Sequence, residues 1–121
     1  MKKFSRVSVV GTGIMGCGIT QACSLSGYST VLIAREPGAI PRAMTDIQVS
    51  MSRQVERGKL TEEAKEEALA RVKATVNLDA VEDCEIVIEA ITENLDAKRD
   101  VFRRLDRLCS PETILASDTA T

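Results

Sequence analysis

Gly11, Gly13 and Gly16 have the spacing of a turn that binds the pyrophosphate of a dinucleotide. They follow the β-branched run at residues 7–10 and open an apolar segment with helical periodicity. The first glycine allows a tight bend, the second lets backbone approach the phosphates, and the third lets the helix pack on the sheet. A glycine-rich turn with a purely structural role is the alternative. The predicted phosphate-binding residues, at a helix N-terminus whose N–H groups face the phosphates, are Gly11, Gly13, Ile14, Met15 and Gly16.

The position that usually recognises the adenosine ribose carries no acid. An acidic residue about twenty positions after the first glycine normally accepts hydrogen bonds from the ribose of NAD. Here Ala34 ends the second apolar run and Arg35 follows it. Loss of the carboxylate removes repulsion against a 2′-phosphate, and a guanidinium can pair with that phosphate. NADP(H) preference is therefore one hypothesis, and an Arg35 that is solvated or stacked on the adenine is the other.

Two charged residues follow a later apolar run that ends at Glu89. Glu93 comes four positions after it, and Lys98 lies near the start of the next predicted helix. Ligands of parallel sheets bind outside the carboxyl ends of the strands, so Glu93 is a candidate contact of the ribose or nicotinamide. The alternative is that Glu93 complements the helix dipole and that Lys98 is solvated.

The elements that position these residues alternate between strand and helix, which predicts an α/β fold of the Rossmann type with a doubly wound parallel sheet. One domain is expected over residues 1–121, with fewer strands than a complete sheet. The first helix is predicted at residues 14–26 with Met15, Ile19, Ala22 and Cys23 on its inner face. Apolar runs predict strands at residues 4–10, 30–34, 73–76, 85–89 and 113–117.

Two helices are predicted between the second and third strands. Apolar residues recur at helical spacing from Ile40 to Val55, Gly58 ends that run, and Thr61 can cap a second helix. One crossover helix suffices in a plain doubly wound fold. The second helix therefore predicts an inserted antiparallel helical hairpin at about residues 41–72, which is a candidate binding element.

Composition excludes several classes of partner. The 16 basic and 18 acidic residues are interspersed and leave a net charge of −2, which argues against nucleic acid and against an anionic membrane surface. The chain has no histidine and no Cys-x-x-Cys pair, so no metal site is expected and the four cysteines are predicted to be buried and reduced. No apolar stretch of membrane-spanning length and no signal peptide are present, so the expected location is cytoplasmic.

Four segments, in order, resemble the N-terminal NAD-binding domain of the 3-hydroxyacyl-CoA dehydrogenases, the 3-hydroxybutyryl-CoA dehydrogenases included. The resemblance implies an oxidoreductase of fatty acid metabolism that converts a 3-hydroxyacyl-CoA to the 3-ketoacyl-CoA with hydride transfer to NAD, or the reverse. The four segments are residues 11–19 (GTGIMGCGI), 56–63 (ERGKLTEE), 87–95 (VIEAITENL) and 111–117 (PETILAS).

The resemblance also implies roles for individual residues. Glu93 and Lys98 would contact the cofactor beside the nicotinamide ribose, and Ser50 and Arg57 would contact the CoA part of the substrate. Residues seven apart share a helical face, and a cation suits the CoA phosphates. The alternative for Ser50 and Arg57 is two ordinary surface residues.

The chain departs from the family pattern in several places. Ala120 stands where the family has a serine that touches substrate, which Thr121 can partly replace, and Ala34 stands at the acidic position. The family's general base is a histidine, and this chain has none, so no catalytic residue is assigned. We also expect residues 1–121 to lack the remaining strands and the helical C-terminal domain that the resemblance implies. We therefore expect the chain to bind NAD(H) or NADP(H) without turnover.

Two other functions stay open at this stage. One is a related hydroxy-acid dehydrogenase that acts on a substrate without CoA, and the other is a non-catalytic nucleotide-binding module. An incomplete sheet leaves an unpaired edge at its last strand, so we also expect self-association as a homo-oligomer through that edge.

Overall fold

Strands and helices alternate along the chain, and helices cover both faces of one sheet. The structure, a computed structural model, describes residues 6–91, 95–109 and 114–117. Its elements are β1 (Arg6–Val10), α1 (Ile14–Leu25), β2 (Ser29–Ile33), α2 (Ala39–Glu56), α3 (Glu62–Ala70), β3 (Val72–Thr75), a 3₁₀ helix (Leu78–Asp83), β4 (Ile86–Glu89), α4 (Leu95–Leu108) and β5 (Ile114–Ser117).

The strands form one parallel sheet in the order β3-β2-β1-β4-β5. The central strand β1 pairs with β2 on one side and β4 on the other, with Val7 opposite Thr30 and Ile86. The chain adds β2 and β3 on one side of β1, and β4 and β5 on the other. A doubly wound sheet binds its ligand in the crevice where this direction reverses, which is beside β1. The predicted Rossmann-type fold is confirmed.

Two apolar clusters cover the two faces of the sheet. On one face the strand residues Val9 and Leu32 pack with Ile47 and Met51 of α2 and with Ala68 of α3. On the other face the cluster consists mainly of strand residues, the 3₁₀ helix and α4. Its fully or nearly fully buried members include Val10, Ile33, Val81, Val87 and Leu105. Burial on both faces explains why the strands read as continuous apolar runs.

The helices α2 and α3 lie where the sequence predicts a hairpin, and they pack against each other. Gly58 lies in the turn between them with φ +73°, a conformation that glycine adopts readily. Thr61 caps α3 as predicted, because its Oγ1 accepts a hydrogen bond from the Ala64 N–H at 3.1 Å. Lys65 Nζ of α3 also lies 3.2 Å from Ser52 Oγ of α2.

The predicted inner face of α1 is wrong for Met15 and Ala22, whereas Ile19 and Cys23 pack against the core as predicted. Met15 is 49% exposed and Ala22 is also exposed, while Ile19 and Cys23 are half-buried. The residues that face the sheet are small or polar: Gly16, Cys17, Thr20 and Ser24. Close approach of α1 to the sheet requires small side chains, and Thr20 satisfies its buried hydroxyl by donating to Gly16 O at 2.8 Å. Apolar periodicity is therefore a poor guide to orientation in this helix.

The four cysteines, all within the described residues, behave mainly as apolar core residues. Cys17 and Cys84 are buried, whereas Cys23 and Cys109 are half-buried. Burial raises the pKa of each of the four thiols. A raised pKa leaves less of the reactive thiolate at neutral pH, which argues against nucleophilic roles.

Candidate functional site

The glycine turn brings the ends of β1, β2 and β4 together. Gly11 has φ +128°, and its N–H donates to Ile33 O at 2.9 Å. A Cβ on Gly11 would lie 2.8 Å from Ala90 O, and one on Gly16 would lie 2.0 Å from Gly11 O. Both distances are too short for any side chain. The first and third glycines therefore keep the turn, α1 and the end of β4 in direct backbone contact.

Gly13 differs from its two neighbours in the motif. A Cβ on Gly13 would meet no atom of the described chain within 4 Å. Gly13 is the N-cap of α1, and in the described part of the chain no side chain caps this helix end and no acid occupies its first turn. Ile14 is 93% exposed and Met15 is 49% exposed beside it. The N-terminus of α1 is thus open to an anionic ligand, and the residue at its entrance leaves room for one.

At the end of β2, the structure brings Arg35 to the glycine turn. Ala34 is buried, and its N–H donates to Thr75 O at 2.8 Å. Arg35 is exposed and lines a pocket of about 460 Å³ together with Gly11, Thr12 and Arg42. Sequence reasoning missed Arg42, although its position at the start of the predicted second helix, just past the loop after Arg35, was a usable signal.

Lys98 forms a buried ion pair at the end of β4. Its Nζ lies 2.9 Å from Glu89 Oε1, and the exposed fractions of the two side chains are 12% for Lys98 and 1% for Glu89. Lys98 Nζ also donates to Ile91 O at 3.1 Å, and the Ile91 N–H donates to Glu89 Oε2. The pair therefore fixes the start of the loop between β4 and α4. Sequence reasoning noted Glu89 only as the end of the strand and missed the pair.

Two predicted residues, Glu93 and Thr121, lie outside the described residues. The same is true of Ala120. The roles assigned to these positions stay predictions.

The predicted CoA contacts Ser50 and Arg57 occupy different surroundings. Ser50 is half-buried and lines a cleft of about 410 Å³ between α1 and α2, where Ile14, Gln21 and Arg53 are among its neighbours. Arg57 is exposed, forms the C-cap of α2 and is not among the residues that line this cleft. Arg53, one turn before Arg57, is the cation that shares the cleft with Ser50. Sequence reasoning missed it, although its spacing of three from Ser50 already placed both on one helical face.

The arrangement of the described residues can bind an elongated anionic ligand. The open N-terminus of α1 lies between the arginine-lined pocket and the cleft between α1 and α2. Within residues 6–91, 95–109 and 114–117, no group of three or more Cys, Asp or Glu residues is placed to hold a metal ion. In the same ranges, no helix is long and apolar enough to cross a membrane.

A family model described as "3-hydroxyacyl-CoA dehydrogenase, NAD binding domain" matches residues 6–121. The chain belongs to this family. The predicted family and NAD(H) as the cofactor of the domain are thereby confirmed. The individual site residues stay predictions.

Relatives and solved structures agree with this assignment to the 3-hydroxyacyl-CoA dehydrogenase family. A 3-hydroxybutyryl-CoA dehydrogenase of Bradyrhizobium diazoefficiens is 39% identical over 116 residues, which are 96% of this chain and 40% of the relative. The crystal structure of an (S)-3-hydroxybutyryl-CoA dehydrogenase from Ralstonia eutropha is 35% identical with a TM-score of 0.93, over 98% of this chain and 42% of that one. A diketoreductase structure is 28% identical with a TM-score of 0.90, over all of this chain and 44% of that one. The chain thus spans about two fifths of the length of the curated 3-hydroxybutyryl-CoA dehydrogenases it matches.

Proposed function

We propose that this domain binds NAD(H) for the interconversion of a 3-hydroxyacyl-CoA and its 3-ketoacyl-CoA. The observation that carries the proposal is a contrast within the glycine motif. A Cβ on Gly11 or Gly16 would collide with backbone atoms, whereas a Cβ on Gly13 would point into open space at the N-terminus of α1. That space fits a pyrophosphate, which helix N–H groups and the helix dipole stabilise. When bound, the nicotinamide accepts or donates the hydride.

Each part of the site has a proposed role along the dinucleotide. Gly11, Gly13 and the N–H groups of α1 hold the pyrophosphate. Lys98 and Glu93 hold the nicotinamide ribose. An ammonium has three N–H donors. Among the described residues, Lys98 donates to Glu89 and Ile91, and we propose that its third N–H donates to a ribose hydroxyl.

The acyl-CoA is proposed to lie along the cleft between α1 and α2. Ser50 supplies a hydroxyl there and Arg53 a guanidinium, which suits CoA phosphates. Arg57, beyond the end of α2, contacts the same ligand where it leaves the cleft, and Thr121 contacts its acyl end.

Binding of NADH is the first test, and Gly13→Ala is the variant that probes the open space. The added methyl meets no atom of the described residues within 4 Å, so the stability of the domain should stay within about 0.5 kcal/mol of the parent. The same methyl occupies the place of a phosphate, so the affinity for NADH should fall at least about tenfold, the equivalent of one charge-assisted hydrogen bond. Titration by nicotinamide fluorescence measures the affinity, and chemical denaturation measures the stability.

Gly38→Ala is the matched control, because Gly38 has helical φ and ψ and open space at its Cβ position. It should leave NADH affinity unchanged. An unaltered affinity in Gly13→Ala would refute the proposed pyrophosphate position. No NADH binding by the parent chain, shown to be folded by circular dichroism, would refute cofactor binding altogether.

The chain on its own is proposed to bind cofactor without turnover. Oxidation of a secondary hydroxyl needs a general base within reach of its proton, and the sequence contains no histidine for that role. Purified chain with NAD and 3-hydroxybutyryl-CoA should therefore produce no NADH. Sustained NADH formation that follows the protein concentration would contradict this prediction.

A second candidate is a dehydrogenase that acts on a substrate without CoA. The similarity to the diketoreductase, which acts on dicarbonyl compounds, supports it. Acetoacetyl-CoA separates the two candidates. A CoA ester should change the fluorescence of the NADH complex, and Arg53→Gln should weaken that effect several-fold. No response to acetoacetyl-CoA at saturation would favour the substrate without CoA.

Two further properties of the chain, its location and its self-association, are also proposed. We propose a cytoplasmic location and self-association through β5, which is an edge strand of the described sheet. Sedimentation over a range of protein concentrations tests the association. A monomer mass at every concentration would contradict it.

A further inference from the structure

The pocket next to the glycine turn carries an excess of positive charge. It measures about 460 Å³, and its charged lining residues in the described part of the chain are Arg35, Arg42 and Glu36. Gly11 and Thr12 of the dinucleotide turn form another part of its wall. We propose that this pocket binds the 2′-phosphate of NADP(H), so that this chain prefers NADP(H) over NAD(H). The inference rests on the proposed binding of a dinucleotide at the same turn.

The pocket lies where the adenosine ribose of a bound dinucleotide belongs. The Gly11 N–H bonds to Ile33 O, so the turn after β1 and the end of β2 are directly joined. Ligands of this fold place their ribose at the end of the second strand, beside the first glycine. Arg35 comes from that strand end and Arg42 from the first turn of α2, and both line the one pocket. Two guanidinium groups therefore flank the expected ribose.

The side chain of Ala34, at the end of β2, has no hydrogen-bond acceptor for the hydroxyls of a ribose. Ala34 is 3% exposed, and its N–H donates to Thr75 O. A carboxylate at this position would bind the 2′-hydroxyl of NAD and repel a 2′-phosphate. Its replacement by a methyl group removes both effects. The position therefore does not discriminate in favour of NAD.

The charges around Arg35 decide between a phosphate and a neutral hydroxyl. On its second side, Arg35 lines a smaller pocket of about 230 Å³ that holds one acid, Asp100, and one base, Arg104. The acids Glu36 and Asp100 together are outnumbered by the arginines Arg35, Arg42 and Arg104. A phosphate dianion gains from this excess through charge-assisted and bidentate hydrogen bonds, whereas a neutral hydroxyl gains little.

Paired titrations of the purified chain with NADH and with NADPH test the inference. NADPH should bind at least about tenfold tighter, since one charge-assisted hydrogen bond corresponds to at least that factor. Adenosine 2′,5′-bisphosphate should displace bound NADPH at lower concentration than 5′-AMP does, which assigns the difference to the 2′-phosphate. Arg42→Gln should lower the affinity for NADPH about tenfold and leave the affinity for NADH within a factor of about two.

Two further variants complete the test. Arg103→Gln removes an exposed arginine of α4 that lines none of the three pockets described here, so it should change neither affinity. Ala34→Asp restores a carboxylate at the end of β2 and should shift the preference toward NADH. Equal affinities, or tighter binding of NADH by the parent chain, would overturn the inference and leave the proposed function intact. Failure to bind either dinucleotide would overturn both.

Discussion

Gly16→Ala is expected to destabilise the domain by at least about 3 kcal/mol, because an added Cβ collides with backbone and not with a movable side chain. That Cβ would lie 2.0 Å from Gly11 O and 2.7 Å from Gly11 C. Relief requires α1 to move away from the turn, which separates the N–H groups of α1 from Gly13. Binding of NADH should be lost together with the stability. Denaturant unfolding and nicotinamide fluorescence measure the two effects.

Gly18→Ala is the matched control for this prediction. Gly18 belongs to the same helix, and a Cβ there meets no described atom within 4 Å. Alanine has the higher helix propensity, so this variant should gain about 0.5–1 kcal/mol of stability. Substitutions at neutral sites change stability by no more than about 0.5 kcal/mol. A change of that size or less in Gly16→Ala would contradict the close contact between Gly16 and Gly11.

Lys98→Met is expected to cost about 3–5 kcal/mol of stability, because it removes the ammonium from a carboxylate that is buried. Glu89 is 1% exposed, and Lys98 Nζ lies 2.9 Å from its Oε1. The same substitution removes the hydrogen bond to Ile91 O. Because Ala90 O lies against Gly11, movement of this loop should also weaken NADH binding in the fraction that stays folded. Thermal unfolding and NADH titration measure these effects.

A double-mutant cycle separates the ion pair from packing. Glu89→Gln combined with Lys98→Met leaves no buried charge, so the double variant should be more stable than Lys98→Met alone. Arg99→Met changes the next residue of α4, which is exposed, and should alter stability by no more than about 0.5 kcal/mol. Equal stability of Lys98→Met and Arg99→Met would contradict a structural role of the pair.

Both substitutions act on contacts that hold the cofactor turn in place: the backbone contacts of Gly11 and the buried ion pair between Glu89 and Lys98. The Ala90 N–H donates to Val10 O at 2.8 Å, so the end of β4 continues the ladder of β1 directly beneath Gly11. Gly16 then brings α1 onto this platform. A turn held in this way presents its N–H groups in a fixed geometry, which lowers the entropy cost of binding a ligand.

The sequence by itself determined the order and type of the major elements and the place of the cofactor turn. Runs of β-branched residues specify strands, because both faces of a parallel sheet are buried. Gly58 and Thr61 specify the break between α2 and α3, since left-handed φ and N-capping are local properties of single residues. The four segments that resemble the family are also contiguous stretches of sequence. Each of these features depends on residues within a few positions of one another, and each is therefore predictable from the sequence.

Only the tertiary structure decided which residues meet across the fold. The inner face of α1 follows from how closely the helix approaches Gly11, a distance that apolar periodicity does not encode. Glu89 and Lys98 are nine residues apart, and their pairing depends on how α4 returns beside β4. The convergence of Arg35 with Arg42, and the placement of Ser50 and Arg53 against α1, depend in the same way on where α2 packs. Such contacts arise from the packing of whole elements, so residue types and spacing alone do not specify them.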